Sequence, residues 1–531
     1  MPSYAVATRT VAYDRHHEAI QDILKLIPTS YNSLYVCIQR HLPYKKRGTA
    51  DHASYVRNLI QVMTYVPVLQ KQIMTLLVEH LVRVDTLIQV EMDDLDEDVE
   101  FVTYSMNFDD DYESEVDSEA EDLAEDQGDD MNGNDSDLDS DYGADEDENS
   151  EKGELSTKQQ KKVRSMVRKL DSMMYLVLGH LAAKQSPDAR NDMYSILLDT
   201  FDRTIIKTLK SRYTQFLMFY LCSMDGHFSD SFLEHLLQLI MDPLRPNVHR
   251  IAAAAYVSSY VARAKFMEPT TIQRTVGTLC GFCEQLLDQY EVKYGTDDVA
   301  HAVNAERHEV FYASLQAVMY IFCFRWRDLT LHDDSLDALI DDDEPTGAMS
   351  LTNAPAFPGA QLIDAHLGTS NTTSIPDTDY SSLQFGSGDK KWCHGLRNMP
   401  RLIMNKLYPL KVCSLPVVRQ FAKISHETNF MYIYSILEKS KDLLITGVNL
   451  DSVNDTGARN LLHTVQTFFP FDPYKLESSR KYIDSIYFEW IAEDDDEDDS
   501  DEEEDDEEEE DNMSAGMMAM SISPSPTSHY L

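Results

Sequence analysis

The run Phe311-Tyr312-Ala313-Ser314-Leu315-Gln316-Ala317-Val318-Met319-Tyr320-Ile321-Phe322 places Phe311, Leu315, Val318 and Phe322 at spacings of 4, 3 and 4, the period of one face of an α-helix. Working outward, Leu69, Ile73, Leu76, Leu77, Leu81, Val84 and Ile88 form a long apolar stripe with Pro67 in its first turn, a position that tolerates proline. Phe232, Leu236 and Ile240 with Leu233 and Leu237 form another, and Phe430, Ile433, Tyr434 and Leu437 repeat the pattern. No run alternates with period two, so the reading is all-α. Helical segments are expected at 15–26, 31–42, 51–64, 67–90, 158–184, 189–222, 229–240, 247–264, 270–292 and 304–328, and again from 396 to 490. Paired helices of this size occupy about 40 residues, the cadence of a HEAT-like helical-repeat solenoid, with a compact bundle as the alternative.

Charge separates this body from the rest of the chain. The 531 residues carry 46 Lys plus Arg against 92 Asp plus Glu. From Glu91 to Glu151 there are 29 acids and from Glu493 to Asp511 there are 18, with no Lys or Arg in either stretch, which leaves 45 acids against 46 bases elsewhere. A near-neutral folded body carrying polyanionic segments is not built for strong direct DNA binding. The expected organisation is N-terminal helical repeats at 1–90, an acidic disordered insert at 91–157, central helical repeats at 158–329, a disordered linker at 330–395, C-terminal helical repeats at 396–490 and an acidic disordered tail at 491–531. The three disordered spans lack the apolar surface to offset ordering entropy.

The chemistry-bearing motifs are few. There is no membrane-length apolar run, which takes roughly 18 residues, and Met-Pro-Ser-Tyr-Ala at the start resembles no secretory signal. Phosphate-cradling glycine loops, nucleophile elbows, HExxH motifs and zinc-ligand pairs are missing, so no enzyme activity, cofactor or metal is expected. Cys37, Cys222, Cys280, Cys323 and Cys413 sit in apolar segments as small buried hydrophobes, and Cys280-Gly281-Phe282-Cys283 reads as part of a core helix. Asp135, Asp137, Asp139 and Glu146 imitate a calcium loop, but Ser140 stands where the sharp turn needs glycine. Lys158, Lys161, Lys162, Arg164, Arg168 and Lys169 make a basic helix directly after the acidic stretch. A solvated face, a dock for the acidic insert and a nucleic-acid contact are the three readings of it. Ser114, Ser118, Ser136 and Ser500 have an acid three residues downstream, and Ser523 and Ser525 precede proline. These six are the phosphorylation candidates, for acidophilic and proline-directed protein kinases.

Taken in order, Phe219-Tyr220-Leu221-Cys222-Ser223, Phe232-Leu233-Glu234-His235-Leu236, Ala262-Arg263-Ala264-Lys265-Phe266, Phe311-Tyr312-Ala313 with Gln316-Ala317-Val318, and above all Phe468 to Leu476 (FFPFDPYKL) followed by Ile483-Asp484-Ser485-Ile486-Tyr487 are the segments that carry a resemblance. Together they resemble the RNA polymerase I transcription initiation factor family, of the transcription initiation factor IA type. The resemblance implies a HEAT-repeat fold, a nuclear and nucleolar location, and a non-catalytic role. In that role the factor binds RNA polymerase I, makes it initiation-competent and bridges it to the promoter-bound core factor at ribosomal DNA under phosphorylation control. Family members use a serine-bearing surface on the early repeats, and Leu26-Ile27-Pro28-Thr29-Ser30 is similar to part of it, which makes Thr29 and Ser30 the polymerase-contact candidates. Helix capping is the structural alternative for both.

The resemblance also has departures. Family members carry further repeats before the segment that begins near Glu18, so the chain is expected to start inside the repeat array, Ser485 stands where a proline is common, and the linker is long. A homodimer is compatible with the sequence. The competing reading is a generic helical-repeat adaptor or chaperone whose acidic segments hold basic cargo.

Overall fold

The structure, a computed structural model, describes residues 9–93, 148–208, 211–294, 308–331, 391–434, 437 and 469–489. The chain divides into two compact units, Met1–Leu217 with Tyr474–Ile483, and Met218–Pro473 with Asp484–Leu531. Among the described residues strand is confined to the antiparallel pair β1 (Thr330–Leu331) and β2 (Lys391–Trp392) and one isolated bridge. The class is therefore all-α, built from packed helices of the HEAT-like repeat type.

In the first unit α1 (Arg9–Leu26), α2 (Tyr31–Arg40), α3 (Thr49–Tyr65), α4 (Gln70–Asp93), α5 (Glu148–Ala182) and α6 (Pro187–Arg203) follow one another. α3 and α4 pack on α5, α4 also packs on α6, and α1 packs on α3. The stripe predicted on α4 is the core face: Leu69, Ile73, Leu77, Leu81, Val84 and Ile88 are buried, with Leu76 at its edge. His17 ties α1 to α3, its two ring nitrogens lying 2.9 Å from the Tyr65 hydroxyl and 3.2 Å from Asn58 Oδ1.

The continuous helix expected at 189–222 is a correction. It breaks after Arg203 and restarts as α7 (Phe216–Ser223). The reason lies outside the segment, in the fully buried carboxylate of Asp85 on α4. Its Oδ2 accepts from Ser211 Oγ at 2.7 Å, from Tyr213 N and Thr214 N at 2.9 Å each and from Thr214 Oγ1 at 3.0 Å, and its Oδ1 accepts from Arg212 N at 3.2 Å. Backbone donors that a helix would pair internally are satisfied by a tertiary acceptor instead. Asp171 on α5 acts in the same way. It accepts Ser478 N at 2.7 Å, Ser479 N at 2.9 Å and the Ser479 hydroxyl, and so holds the short helix α15 (Glu477–Arg480) against α5.

The second unit is centred on α11 (Glu309–Arg325), the helix that contains Phe311 to Phe322. The four-residue face is buried, but so are Tyr312, Ser314, Met319, Tyr320, Ile321 and Cys323 on the other sides. An all-round apolar helix is an interior helix: α9 (Asn247–Arg263), α10 (Pro269–Tyr294) and α14 (Leu415–Glu427) pack against it, and α8 (Gly226–Met241) packs on α9. At the 394–396 turn a Cβ on Gly395 would stand 2.5 Å from Gly277 Cα of α10. Only a glycine lets these two backbones approach so closely.

The described part of the C-terminal region, 396–434 and 469–489, corrects a second expectation, because it is only partly helical. It contains the short α12 (Met399–Ile403) and α13 (Pro409–Val412), then α14, and its final motif is largely non-helical. Phe430 and Ile433 do not continue a helix. α14 stops at Asn429, which takes φ 55°, with Phe430 N donating to Ser425 O at 2.8 Å and Asn429 N to His426 O at 3.0 Å. This is the paired closure of a Schellman cap, with Asn in the left-handed position that glycine usually fills. Phe430 then turns inward onto Phe322 and Trp392.

Pro470 and Pro473 keep the last motif out of helix. The fully buried Arg263 holds it in place. Arg263 donates to Phe488 O at 3.2 Å and Asp472 Oδ1 at 3.4 Å, and its guanidinium lies 4.4 Å from the ring centre of Phe324 and 5.5 Å from that of Tyr487. Phe471 packs among Phe219, Tyr256 and Tyr260, while Tyr320 stacks on Phe469 with ring centres 4.0 Å apart.

Segment boundaries also shift. α5 begins at Glu148, inside the span assigned to the acidic insert, and the linker's ends at 330–331 and 391–395 are ordered. Residues 94–147, 332–390 and 491–531 lie outside the described residues.

Candidate functional site

Thr29 and Ser30 lie where α1 gives way to α2. Pro28 disfavours helical geometry at the residue before it, and Ile27 takes φ −130° and ψ 78°, which ends α1 and starts a 3-10 turn over Pro28–Ser30. The Ser30 hydroxyl donates to Ile27 O at 2.7 Å, and Ser30 N donates to the same oxygen at 3.1 Å. Ser30 stands at the N-cap of α2 without a side-chain capping bond, so its hydroxyl is committed backwards to the turn and not forwards to the helix. Thr29 is exposed and Ser30 half-buried.

The surroundings of this turn add what the sequence reading did not single out. Leu26 is 82% exposed, Ile27 54% and Ile23 53%, three large apolar side chains clustered within seven residues of Ser30. The buried residues of α1 are His17 and Leu24, so Leu26 and Ile27 fall off the face that meets α3. The signal available in sequence is an apolar pair immediately before a proline and outside the helix's core stripe. An apolar surface carrying small hydroxyls, with the Lys25–Asp22 ion pair (3.0 Å) beside it, is suited to docking a protein and holds no nucleophile paired with a base.

The other predicted residues divide by position. Ser114, Ser118, Ser136, Ser500, Ser523 and Ser525, together with the calcium-like Asp135, Asp137, Asp139 and Glu146, lie outside the described residues. Cys280 and Cys283 are buried on α10, as read from sequence, and the structure adds Cys393 near Cys280 and Cys413 near Cys283. Burial pushes all four thiols up, Cys413 to about 12. Among the described residues no group of three or more His, Cys, Asp or Glu is placed to hold a metal ion, and no helix is long and apolar enough to cross a membrane. Cys37 is a correction: it is exposed on α2, whose buried residue is the adjacent Ile38. On the basic helix Lys162 pairs with Glu91 at 2.7 Å, and Lys169 is buried with its ammonium donating to Lys45 O at 2.9 Å.

The family model for the RNA polymerase I specific transcription initiation factor RRN3 matches residues 1–495. The chain belongs to this family. It is 29% identical over 489 residues to the RNA polymerase I-specific transcription initiation factor rrn3 of Schizosaccharomyces pombe, covering 92% of this chain and 68% of that protein. It is 25% identical over 487 residues to the RNA polymerase I-specific transcription initiation factor RRN3 of Mus musculus, covering 90% of this chain and 61% of that protein. The chain thus spans about two thirds or less of the length of these relatives. The crystal structure of RNA polymerase I transcription initiation factor Rrn3 has the same fold, with a TM-score of 0.62 at 20% identity, covering 90% of this chain and 73% of the other. These relatives are named as initiation factors and not as enzymes, in line with the non-catalytic reading. The motifs read in sequence, including Ala262–Phe266 and the Phe468–Leu476 segment, fall inside the span that the RRN3 family model matches.

Proposed function

We propose that the chain acts in the nucleus and nucleolus as an initiation factor that binds RNA polymerase I, makes it initiation-competent and joins it to the promoter-bound core factor at ribosomal DNA. Protein kinases control the step. The observation that carries this reading is the family match from residue 1 to 495. Within it, the turn bearing Thr29 and Ser30 among Ile23, Leu26 and Ile27 is the polymerase-contact surface. Its exposed apolar area supports that role, since area removed from water is the general driving force for association. A phosphate on either hydroxyl would add roughly −1.5 to −2 charges to a contact that must lose its water.

The test is co-purification with RNA polymerase I from nuclear extract at moderate salt, comparing the natural chain with a Thr29→Asp, Ser30→Asp double variant. Recovery of polymerase subunits by the natural chain and a loss of roughly tenfold or more for the double variant is the expected result, since a charge desolvated without a partner costs at least about 1.4 kcal/mol. Recovery of basic cargo without polymerase would support the adaptor reading instead. Equal recovery of polymerase by both chains would remove Thr29 and Ser30 from the contact.

A further inference from the structure

Two separate segments of the first unit bring their cations together. The loop between α2 and α3 carries Lys45, Lys46 and Arg47, all exposed, and α5 carries Lys161 and Lys162, exposed, with Arg164 and Arg168 half-buried. Lys169 joins the two, because its buried ammonium holds the loop carbonyl of Lys45 at 2.9 Å. Asp51 lies 4.0 Å from Arg47, and Glu91 of α4 lies 2.7 Å from Lys162.

The position of that last pair matters most. α4 ends at Asp93, two residues after Glu91, so the chain leaves α4 beside Lys162. It rejoins α5 at Glu148, 14 residues before Lys162. At 1.5 Å per residue the two ends of the connection lie roughly 21 Å apart along α5, with Lys161 between them and Arg164, Arg168 and the loop held by Lys169 following directly after Lys162. The connecting residues 94–147 hold 25 acids and no Lys, Arg or His.

We propose that the acid-rich stretch 94–147 is the intramolecular ligand of this basic face, occupying it in the full chain and screening it from other polyanions. Tethering at both ends makes the encounter unimolecular, with an effective concentration in the millimolar range. The Glu91–Lys162 pair is the first contact of the series. The association is electrostatic between exposed groups, so it weakens as salt shortens the screening length.

The test is lysine footprinting on the full chain. An amine-reactive reagent is followed by mass spectrometry at Lys45, Lys46 and Lys161, with Lys411 and Lys423 as internal controls. It is run at low and high salt, and repeated on a variant in which every Asp and Glu of 94–147 is changed to Asn or Gln. If the local Kd is about fivefold below the effective concentration, the face is covered about five-sixths of the time and reacts roughly sixfold more slowly. The expected result is slowing of that order at low salt, lost at high salt and lost in the neutralised variant, with the controls unchanged. Peptide 94–147 added in trans to the neutralised variant should restore the slowing, which separates occupancy from any effect on folding. Equal reactivity in both chains at low salt would overturn the proposal. So would equal capture of a DNA duplex by both chains, which would assign the face to nucleic acid.

Discussion

Replacing Asp85 by Ala removes the acceptor for three backbone N–H groups and two hydroxyls, gathered on a fully buried carboxylate, with only the Arg212 donor near the surface. Each buried donor left without a partner costs about 1–3 kcal/mol. The sum overstates the effect, because Ser211 Oγ also lies 3.0 Å from Gln215 Oε1 and keeps that acceptor, and because water enters the space left by the carboxylate. A local cost of about 4 kcal/mol is expected, on the order of a thousandfold in the opening equilibrium of this segment. Asp85→Asn should cost less. Four of the five donors converge on Oδ2, so an amide oxygen placed there keeps them and loses only Arg212 N, which the amide nitrogen would then face. The assay is native-state hydrogen exchange resolved to the amides of residues 212–214, which reports local opening without requiring the two units to unfold together. Exchange should rise by about three orders of magnitude in Asp85→Ala, with Asp85→Asn in between. Wild-type protection of these amides in Asp85→Ala would refute the claim that the carboxylate is what interrupts the helix between Arg203 and Phe216.

Three further outcomes follow from the geometry. His52 and His80 are buried and stacked, with Nδ1 of His52 2.9 Å from Nε2 of His80 and Nε2 of His52 3.2 Å from Tyr44 O; burial, Lys169 and, at His80, Arg83 hold both at about 4. Protons therefore bind the unfolded chain first, so thermal stability of the first unit should be flat above about pH 7 and fall as pH drops from about 6.5 towards 4. A double replacement by Gln should reduce the slope in that window when Tm is measured against pH, leaving the part due to His180, which burial and Lys184 also hold at about 4. Arg263→Met should strip the anchor of the last motif and leave Asp472 short of a partner, costing about 3–5 kcal/mol. Urea unfolding followed through Trp326 and Trp392, both in the second unit, should shift accordingly, and an unchanged midpoint would count against the clamp. Of the seven cysteines only Cys37 is exposed, so a thiol reagent should find one fast-reacting group in the native chain and seven in denaturant. Rapid modification of any second thiol would contradict the packing around α10 and α11.

Much of the fold was legible because helical periodicity is a local property. The α4 stripe from Leu69 to Ile88 and the α11 face from Phe311 to Phe322 are buried as their spacing requires. The failures have separate causes. The segment 189–222 reads as a continuous helix because its own residues favour one, whereas Asp85, more than a hundred residues earlier, takes up the donors in its middle. Phe430 and Ile433 carry a helical spacing, but Asn429 enters the left-handed region and closes α14. Cys37 sits among apolar neighbours in sequence yet on the outer side of α2, because Ile38 supplies the contact that the helix buries.

The candidate site was only half legible. Thr29 and Ser30 were reached through a resemblance, and their exposure depends on which side of α1 meets α3, a fact no local pattern contains. Leu26 and Ile27 look like core residues until His17 and Leu24 are seen to be the ones buried.

Composition and periodicity by themselves determined the helical class and the separation of near-neutral body from polyanionic stretches, because each depends on residues close together in the chain, while the ordered motifs were legible only through their resemblance to a family. The tertiary structure decided where helices stop, which apolar residues face solvent, and how the last motif is held. The break after Arg203 and the hold on the last motif turn on single buried groups, Asp85, Asp171 and Arg263, whose partners are 126 to 308 residues away. A buried charge must find its donors or acceptors wherever the fold brings them, so its pairing is a property of the packed chain and not of its neighbours in sequence.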